Sequence, residues 1–312
     1  MIAAMRNLPG ARRDLGPGDL TLTIASGLAV AVILAMLLLI LFELVHGGAG
    51  RISWEFLSTA PRKGGLEGGI WPAIFGTVLL VLVMTIVAAP VGVATAVYLS
   101  EYARPGAPVT RFIRAAVANL AGVPSIVFGL FGVGLFVETV GREIDDAFYG
   151  GALFYGKPAI IWASLTLALL TLPVVIVATE EALKTIPIDH REGSLALGAT
   201  RWQTITRVVL PQALPGILTG TILAISRGAG EVAPILFTGV AYYLPFLPAH
   251  PTDQFMHLGY HVFVLATQSS DVNAALPNLY ATALALLALT FVLNLTAIII
   301  RARVRARLRS QN

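Results

Sequence analysis

Six stretches of this chain are long and apolar enough to leave water altogether. Residues 20–42, 68–100, 115–137, 158–179 and 276–300 carry no charge, and residues 212–240 carry only Arg227 and Glu231. A helix rises about 1.5 Å per residue, so about 20 apolar residues cross a hydrocarbon core of about 30 Å. Each run meets that length, and the predicted fold class is an all-α polytopic membrane protein with six transmembrane helices. Composition agrees: 56% of residues are hydrophobic and 12% charged, the latter about half the usual share. The intervals between runs are too short to hold a soluble domain with its own core. The predicted organisation is a tail over residues 1–19, one membrane domain over 20–300, and a basic tail over 301–312. No cysteine is present, which excludes disulfides, thiol chemistry and cysteine-based metal sites.

Taking the runs alternately, fifteen of the 21 Lys and Arg residues fall on one side, while Arg51, Arg62, Lys63, Arg142 and Lys157 fall on the other and Arg227 lies within a run. Cytoplasmic loops carry the excess of basic residues, so both termini are predicted in the cytoplasm (N-in/C-in), in a multi-pass cytoplasmic (inner) membrane protein. Trp71 and Trp162 sit at outer ends as interface anchors. The RARVRARLR segment after the last run suits anionic lipid rather than nucleic acid. Run 68–100 exceeds one upright crossing, which predicts tilt, extension or a bend near Pro90. Pro124 is predicted to kink the third span; Gly122, Gly129, Gly132 and Gly134 line either a packing face or a substrate-facing one, and the Gly216/Gly220 pair marks close helix packing. Residues 46–67 are read as external with a short surface helix around Trp54 and Phe56. Residues 241–271 are read as an external loop whose Tyr242, Tyr243, Pro245 and Phe246 form an aromatic belt, with an amphipathic external gate as the alternative. His257 and His261 have i,i+4 spacing that suits a metal, but they are read as loop residues and no metal is predicted.

Between the fourth and fifth runs lies a charged module, residues 180–211, containing REGSLALGATRWQTITRVVLPQ. Read as one helix, Leu195, Ala196, Ala199 and Trp202 gather on one face and Arg191, Glu192 and Arg201 stay wettable, the pattern of an amphipathic helix at a membrane surface. Gly198 permits a turn or close backbone approach. Pro187 and Pro211 bound how far the flanking helices extend. Glu192-Gly193-Ser194, three residues, Gly198, nine residues, then Val208-Val209-Leu210-Pro211 resembles the EAA loop of ABC-importer permeases, whose pattern is EAA, x3, G, x9, I-x-LP. Gly193 and Ser194 replace the two alanines and Val208 the isoleucine. The resemblance implies a type I (MetI-like) permease bundle. It further implies that Glu192, Gly193, Ser194, Leu195, Ala196, Leu197, Gly198 and Ala199 dock into a cytosolic ATPase.

Arg227 and Glu231 are the other anomaly. A charge at mid-membrane costs at least ~2.5 kcal/mol even on insertion scales, which makes an intramembrane Arg a candidate for function. At i,i+4 on a helix the two side chains meet. They form either a structural ion pair or a polar station on a translocation pathway. A guanidinium offers paired planar donors to a tetrahedral oxyanion, whereas a carboxylate only accepts. Glu231 therefore repels sulfate but accepts the O–H of hydrogen phosphate. SRGAGEVAPILFTG (residues 226–239) and FMHLGYHVFVLATQS (residues 255–269) resemble the PstA branch of phosphate-importer permeases. PVGVATAVYLSEYARPG and AGVPSIVFGLFGVG resemble phosphate importers more generally. Gly228 and Ala229 stand where that branch usually has Ala and Ile. The resemblance covers about residues 69–305 and implies a substrate pathway through Arg227 and Glu231. It implies a PstC-like second permease subunit, a PstB-like cytosolic ATPase dimer that binds ATP and Mg, and a PstS-like external phosphate-binding protein.

On that reading the chain is a permease and not an enzyme, with no cofactor of its own. No G-x4-G-K-[ST] motif occurs, the nearest Gly156-Lys157 being followed by Pro158, so nucleotide binding here is not supported. Rival readings are an ABC permease for molybdate or sulfate, and an ion-coupled secondary anion carrier in which Glu231 shuttles protons. A membrane enzyme is disfavoured because no activated nucleophile or histidine cluster stands out.

Overall fold

The computed structural model describes residues 17–62, 67–104, 106–269 and 271–309. Of the predicted tails, residues 1–16 and 310–312 lie outside the described residues. Pro17–Asp19 are already helical.

Helix α1 (Pro17–Gly48) carries the first span and continues past it, because no proline interrupts it after Pro17. Near its end Gly47 and Gly48 lie against Tyr280 and Ala281 of the last helix, where a side chain would force the two helices apart. The short surface helix is present as α2 (Trp54–Ser58), capped by Ser53 Oγ accepting from Phe56 N at 3.1 Å. It buries Phe56 and exposes Trp54. A small antiparallel ribbon, β1 (Pro61–Arg62) with β2 (Glu67–Gly68), follows.

Run 68–100 resolves as extension rather than a break. Helix α3 (Trp71–Val97) passes through Pro90 and is prolonged by a π-helical turn, Tyr98–Tyr102. The third span differs from expectation. The chain breaks at Val123-Pro124 instead of kinking there, giving an amphipathic α4 (Pro108–Gly122) and then α5 (Ser125–Gly132), a wide turn over Val133–Gly141, and α6 (Arg142–Phe148). The span is Ser125–Phe148. Val123 and Pro124 are both extended, with ψ 132 and 139, which is the conformation proline imposes on the residue before it. Residues 138–148, which follow the predicted third run, therefore close this span. Arg142 pairs with Glu138 at 2.7 Å, and buried Asp145 accepts from the backbone of Tyr155 and Gly156. Of the four glycines singled out in this region, Gly129 and Gly132 meet neighbouring elements while Gly122 and Gly134 face open space.

Helix α7 (Ile160–Lys184) is the centre of the bundle, with α3 on one side and α10 (Leu210–Gly228) on another. Its Leu167 and Leu170 join Leu80 and Met84 of α3 in the main core. Gly216 and Gly220 of α10 lie directly against Ala182 and Ala178 of α7, the close approach that small residues allow between membrane helices. Pro211 does not stop the helix as expected. Helix α9 (Arg201–Thr204), a π-helical turn (Ile205–Val209) and α10 run on continuously to form the fifth span, Arg201–Gly228. The wider turn lies next to Pro211, whose missing N–H and ring conflict with ordinary α bonding to the preceding turn.

That span ends earlier than predicted. Gly228 is the last helical residue, and Gly230 and Pro234 lie in the irregular backbone before α11 (Ile235–Thr238). Residues 241–271 are more than a loop, for they contain α12 (Leu258–Thr267), an apolar helix whose His257 N-cap and His261 are buried. The last helix, α13 (Val272–Arg309), extends well into the predicted basic tail. Helix α13 runs antiparallel to α10, with Asn294 beside Ser226 and Arg301 donating to Thr219 at 2.9 Å midway along α10. The described end of α13 thus points toward the end of the bundle that carries α8 (Ile188–Ala196) and α9.

Candidate functional site

Two places unite the residues that the sequence singled out. The first is the module at one end of the bundle. Pro187 precedes α8 in extended conformation and Gly198 ends it with φ +86. Gly198 N donates to Leu195 O at 2.9 Å and Ala199 N to Ser194 O at 3.3 Å, the left-handed glycine stop that satisfies orphan carbonyls at a helix end. The chain then restarts at α9, where Thr200 and Gln203 form a reciprocal capping box. The module is therefore two short helices at an angle rather than the single amphipathic helix predicted, because only glycine takes φ near +86 without strain.

Helix α8 buries none of its residues. Glu192, Gly193, Leu195, Ala196 and Leu197 are exposed, Leu197 by 91%, and no atom outside the local chain lies within 4 Å of a Cβ placed on Gly193 or Gly198. Leu197 and the turn at Gly198 are thus left uncovered within the chain. Ser194 has a different role, its hydroxyl lying 2.9 Å from that of Thr204.

Arg191, read as wettable, is enclosed. Its Nη2 lies 3.0 Å from Glu101 Oε1, and its side chain is 16% exposed against 11% for Glu101. A second pair at this end joins Arg114 of α4 to Glu180 of α7 at 3.0 Å, and the Arg201 guanidinium sits 5.5 Å over the Tyr102 ring. Sequence reasoning missed Glu101, Glu180 and Arg114, because a charge just past an apolar run resembles any helix terminus.

The second place is the end of α10. Arg227 Nε donates to Glu231 Oε1 at 3.3 Å, with the side chains 42% and 21% exposed. The pair forms as predicted but by different means: Arg227 is in the last helical turn and Glu231 follows on a turn in which Gly230 N and Glu231 N return to Arg227 O and Gly228 O. Depth is given by Gly228, which lies against Met84, the central residue of α3. Irregular backbone at mid-bundle depth is tolerated where it is buried in protein or lines a polar cavity. The two Nη groups of Arg227 have no partner among the described residues, so they are free to hold an oxyanion. Beside them Ser226 donates to Asn294 of α13 at 2.6 Å, a polar contact that sequence reasoning did not find.

The histidines form no such centre. Burial pushes His257 down to about 3 and His261 to about 4, the latter partly offset by a hydrogen bond to the Tyr242 backbone. Both are neutral, and His257 accepts from Gly259 N at 3.1 Å. No cluster of three potential ligands occurs among the described residues.

Comparison with known proteins assigns this architecture. The chain is 36% identical over 212 residues to the probable ABC transporter permease protein YqgI of Bacillus subtilis (strain 168), covering 68% of this chain and 67% of that one. It is 35% identical over 235 residues to the phosphate transport system permease protein PstA 1 of Mycobacterium tuberculosis (strain CDC 1551 / Oshkosh), covering 75% and 71%. The fold is similar to that of a chain in a bacterial alginate ABC transporter complex, with TM-score 0.69 and 16% identity over 94% of this chain and 97% of that one. It is also similar to a chain of the MetNI methionine ABC transporter, with TM-score 0.52 and 20% identity over 76% and 94%. The family described as the binding-protein-dependent transport system inner membrane component matches residues 88–310. The chain belongs to that family, as a multi-pass permease subunit of an ABC importer.

Proposed function

We propose that this permease carries inorganic phosphate inward through a pathway that passes Arg227 and Glu231. The observation that carries the reading is a guanidinium with free Nη groups, held at the mid-depth of the bundle where α10 ends, beside a carboxylate 3.3 Å away. Hydrogen phosphate loses its water there and accepts from Arg227, while its own O–H donates to Glu231. A fully deprotonated oxyanion meets an unpaired acceptor and is rejected. The names of relatives in several bacteria agree with this substrate.

The docking module of α8, the Gly198 turn and α9 receives one subunit of a cytosolic ATPase dimer, which binds the ATP and Mg. With six spans among the described residues, an ATPase on that side puts both termini in the cytoplasm. The opposite end, with α2 and α12, meets an external phosphate-binding protein. The apolar middle of α1 and of α13 is unburied within the chain, leaving faces for lipid and for a second permease subunit. The test is ATP-dependent uptake by the purified complex in proteoliposomes, offered phosphate, sulfate and molybdate. Uptake of phosphate alone supports the reading. Preference for another oxyanion, or uptake driven by a pH gradient without ATP, overturns it.

A further inference from the structure

We infer that Arg191 and Glu101 form the latch through which the docking module moves the membrane bundle, an inference that rests on the docking reading above. Helix α8 has no buried residue, so apolar packing does not hold it in place. What holds it is Arg191. Its Nη1 donates to Ile186 O at 2.6 Å and its Nη2 to Leu183 O at 2.8 Å, while Nε and Nη2 reach Glu101 Oε1 at 3.3 and 3.0 Å. A planar fork of five donors is suited to bridging a carboxylate and two carbonyls at once, which an ammonium point charge is not. The two carbonyls belong to the last turn of α7 and the residues just after it, where helix geometry leaves acceptors unpaired and favours a cation.

Glu101 sits in the π-helical turn that prolongs α3, and its neighbour Tyr102 lies under Arg201 of α9. The end of α3 thus grips both helices of the module. From there α3 runs to Met84, which abuts Gly228 beside Arg227. The other contacts of α8, His190 with Gln212 at 2.8 Å and Ser194 with Thr204 at 2.9 Å, lead to α9 and α10 and not to α3. With the latch open, α8 is still presented to the ATPase but no longer drives α3 directly. Arg191 and Glu101 are positioning residues, acting on the pathway through α3.

The test uses the whole importer complex carrying Arg191→Gln or Glu101→Gln. At least half of the wild-type amount of ATPase should co-purify and continue to hydrolyse ATP, while phosphate moved per ATP falls at least tenfold. Arg191→Lys should fall about threefold. If less complex assembles but phosphate per ATP stays at the wild-type value, the pair is merely structural and the latch is overturned. A second readout does not depend on the substrate. The chain has no cysteine, so spin labels at Ile188→Cys in α8 and Val91→Cys in α3 report their separation. Adding ATP and Mg should leave that distance unchanged with the latch intact and change it in Arg191→Gln. The same response in both forms overturns the latch. A wild-type complex that hydrolyses ATP without moving phosphate overturns the substrate reading alone, because the distance still reads the latch.

Discussion

Replacing Arg227 by Gln separates a pathway residue from a structural ion pair, because the two roles differ in size. The Arg227–Glu231 contact is one hydrogen bond of 3.3 Å between side chains that are 42% and 21% exposed. Water screens such a pair, and its contribution to stability is at most about 1 kcal/mol. Losing it lowers assembled complex by no more than about fivefold. An oxyanion held about 4 Å from the guanidinium gains far more, about 4 kcal/mol per unit charge at an effective dielectric of about 20. If that attraction acts at the barrier, its loss slows passage about a thousandfold. The Gln amide returns some hydrogen bonding, so the expected loss is at least a hundredfold in labelled phosphate uptake, normalised to the ATPase that co-purifies. Glu231→Gln should keep part of the phosphate flux and admit sulfate, since an amide donates where the carboxylate repelled. Uptake by Arg227→Gln within tenfold of wild type would refute the reasoning. So would the swap of Arg227→Glu with Glu231→Arg if it recovered transport along with assembly.

Gly198→Trp should abolish co-purification of the ATPase while the chain still inserts, because it strains a φ of +86 by about 1–2 kcal/mol and covers the turn that faces the partner. Retained binding and full ATP turnover would mean that the module docks elsewhere. For topology, a cysteine introduced within residues 302–309 should resist an impermeant thiol reagent added outside intact cells, while one at exposed Phe246 should react; the reverse pattern would invert the assignment. Stability should fall on acidification, since His257 titrates near 3 in the fold and near 6.5 when unfolded. The unfolded chain binds the proton first, so stability is full above about pH 6.5 and declines below it, with roughly 2 kcal/mol lost at pH 5 on account of this histidine. Thermal unfolding at pH 7.5 and 5 measures this, and His257→Asn, which retains an N-cap acceptor, should roughly halve the difference, because His261, pushed down to about 4, titrates over the same range.

Much of the membrane architecture is legible in the chain itself, because the requirement for it is local. A run such as residues 158–179 has too few polar groups to remain in water, whatever surrounds it, and the structure makes it the helix at the centre of the bundle. The turn at Gly198 is legible for the same reason, since a glycine stop acts within a few residues of itself, whereas the restart at Thr200, which splits the module into two helices, was seen only in the structure. Gly216 and Gly220 announce a close helix contact by spacing, although only the fold shows Ala182 and Ala178 to be the partners.

What a proline does within a membrane helix depends on neighbours that may be far away in the chain. Pro90 and Pro211 are absorbed into continuous helices while Pro124 starts a new one. The freed backbone groups must find other partners, and sequence alone does not say whether those are near. The early end of α10 at Gly228 has the same origin. Glu231 joins Arg227 through a turn that packs beneath α3, not by helical periodicity. Arg191 is the clearest case. In the chain it is one of several charges in a polar stretch, indistinguishable from the exposed Glu192 beside it. Its carboxylate partner is 90 residues away, so its burial was decided by how α3 and α7 come together.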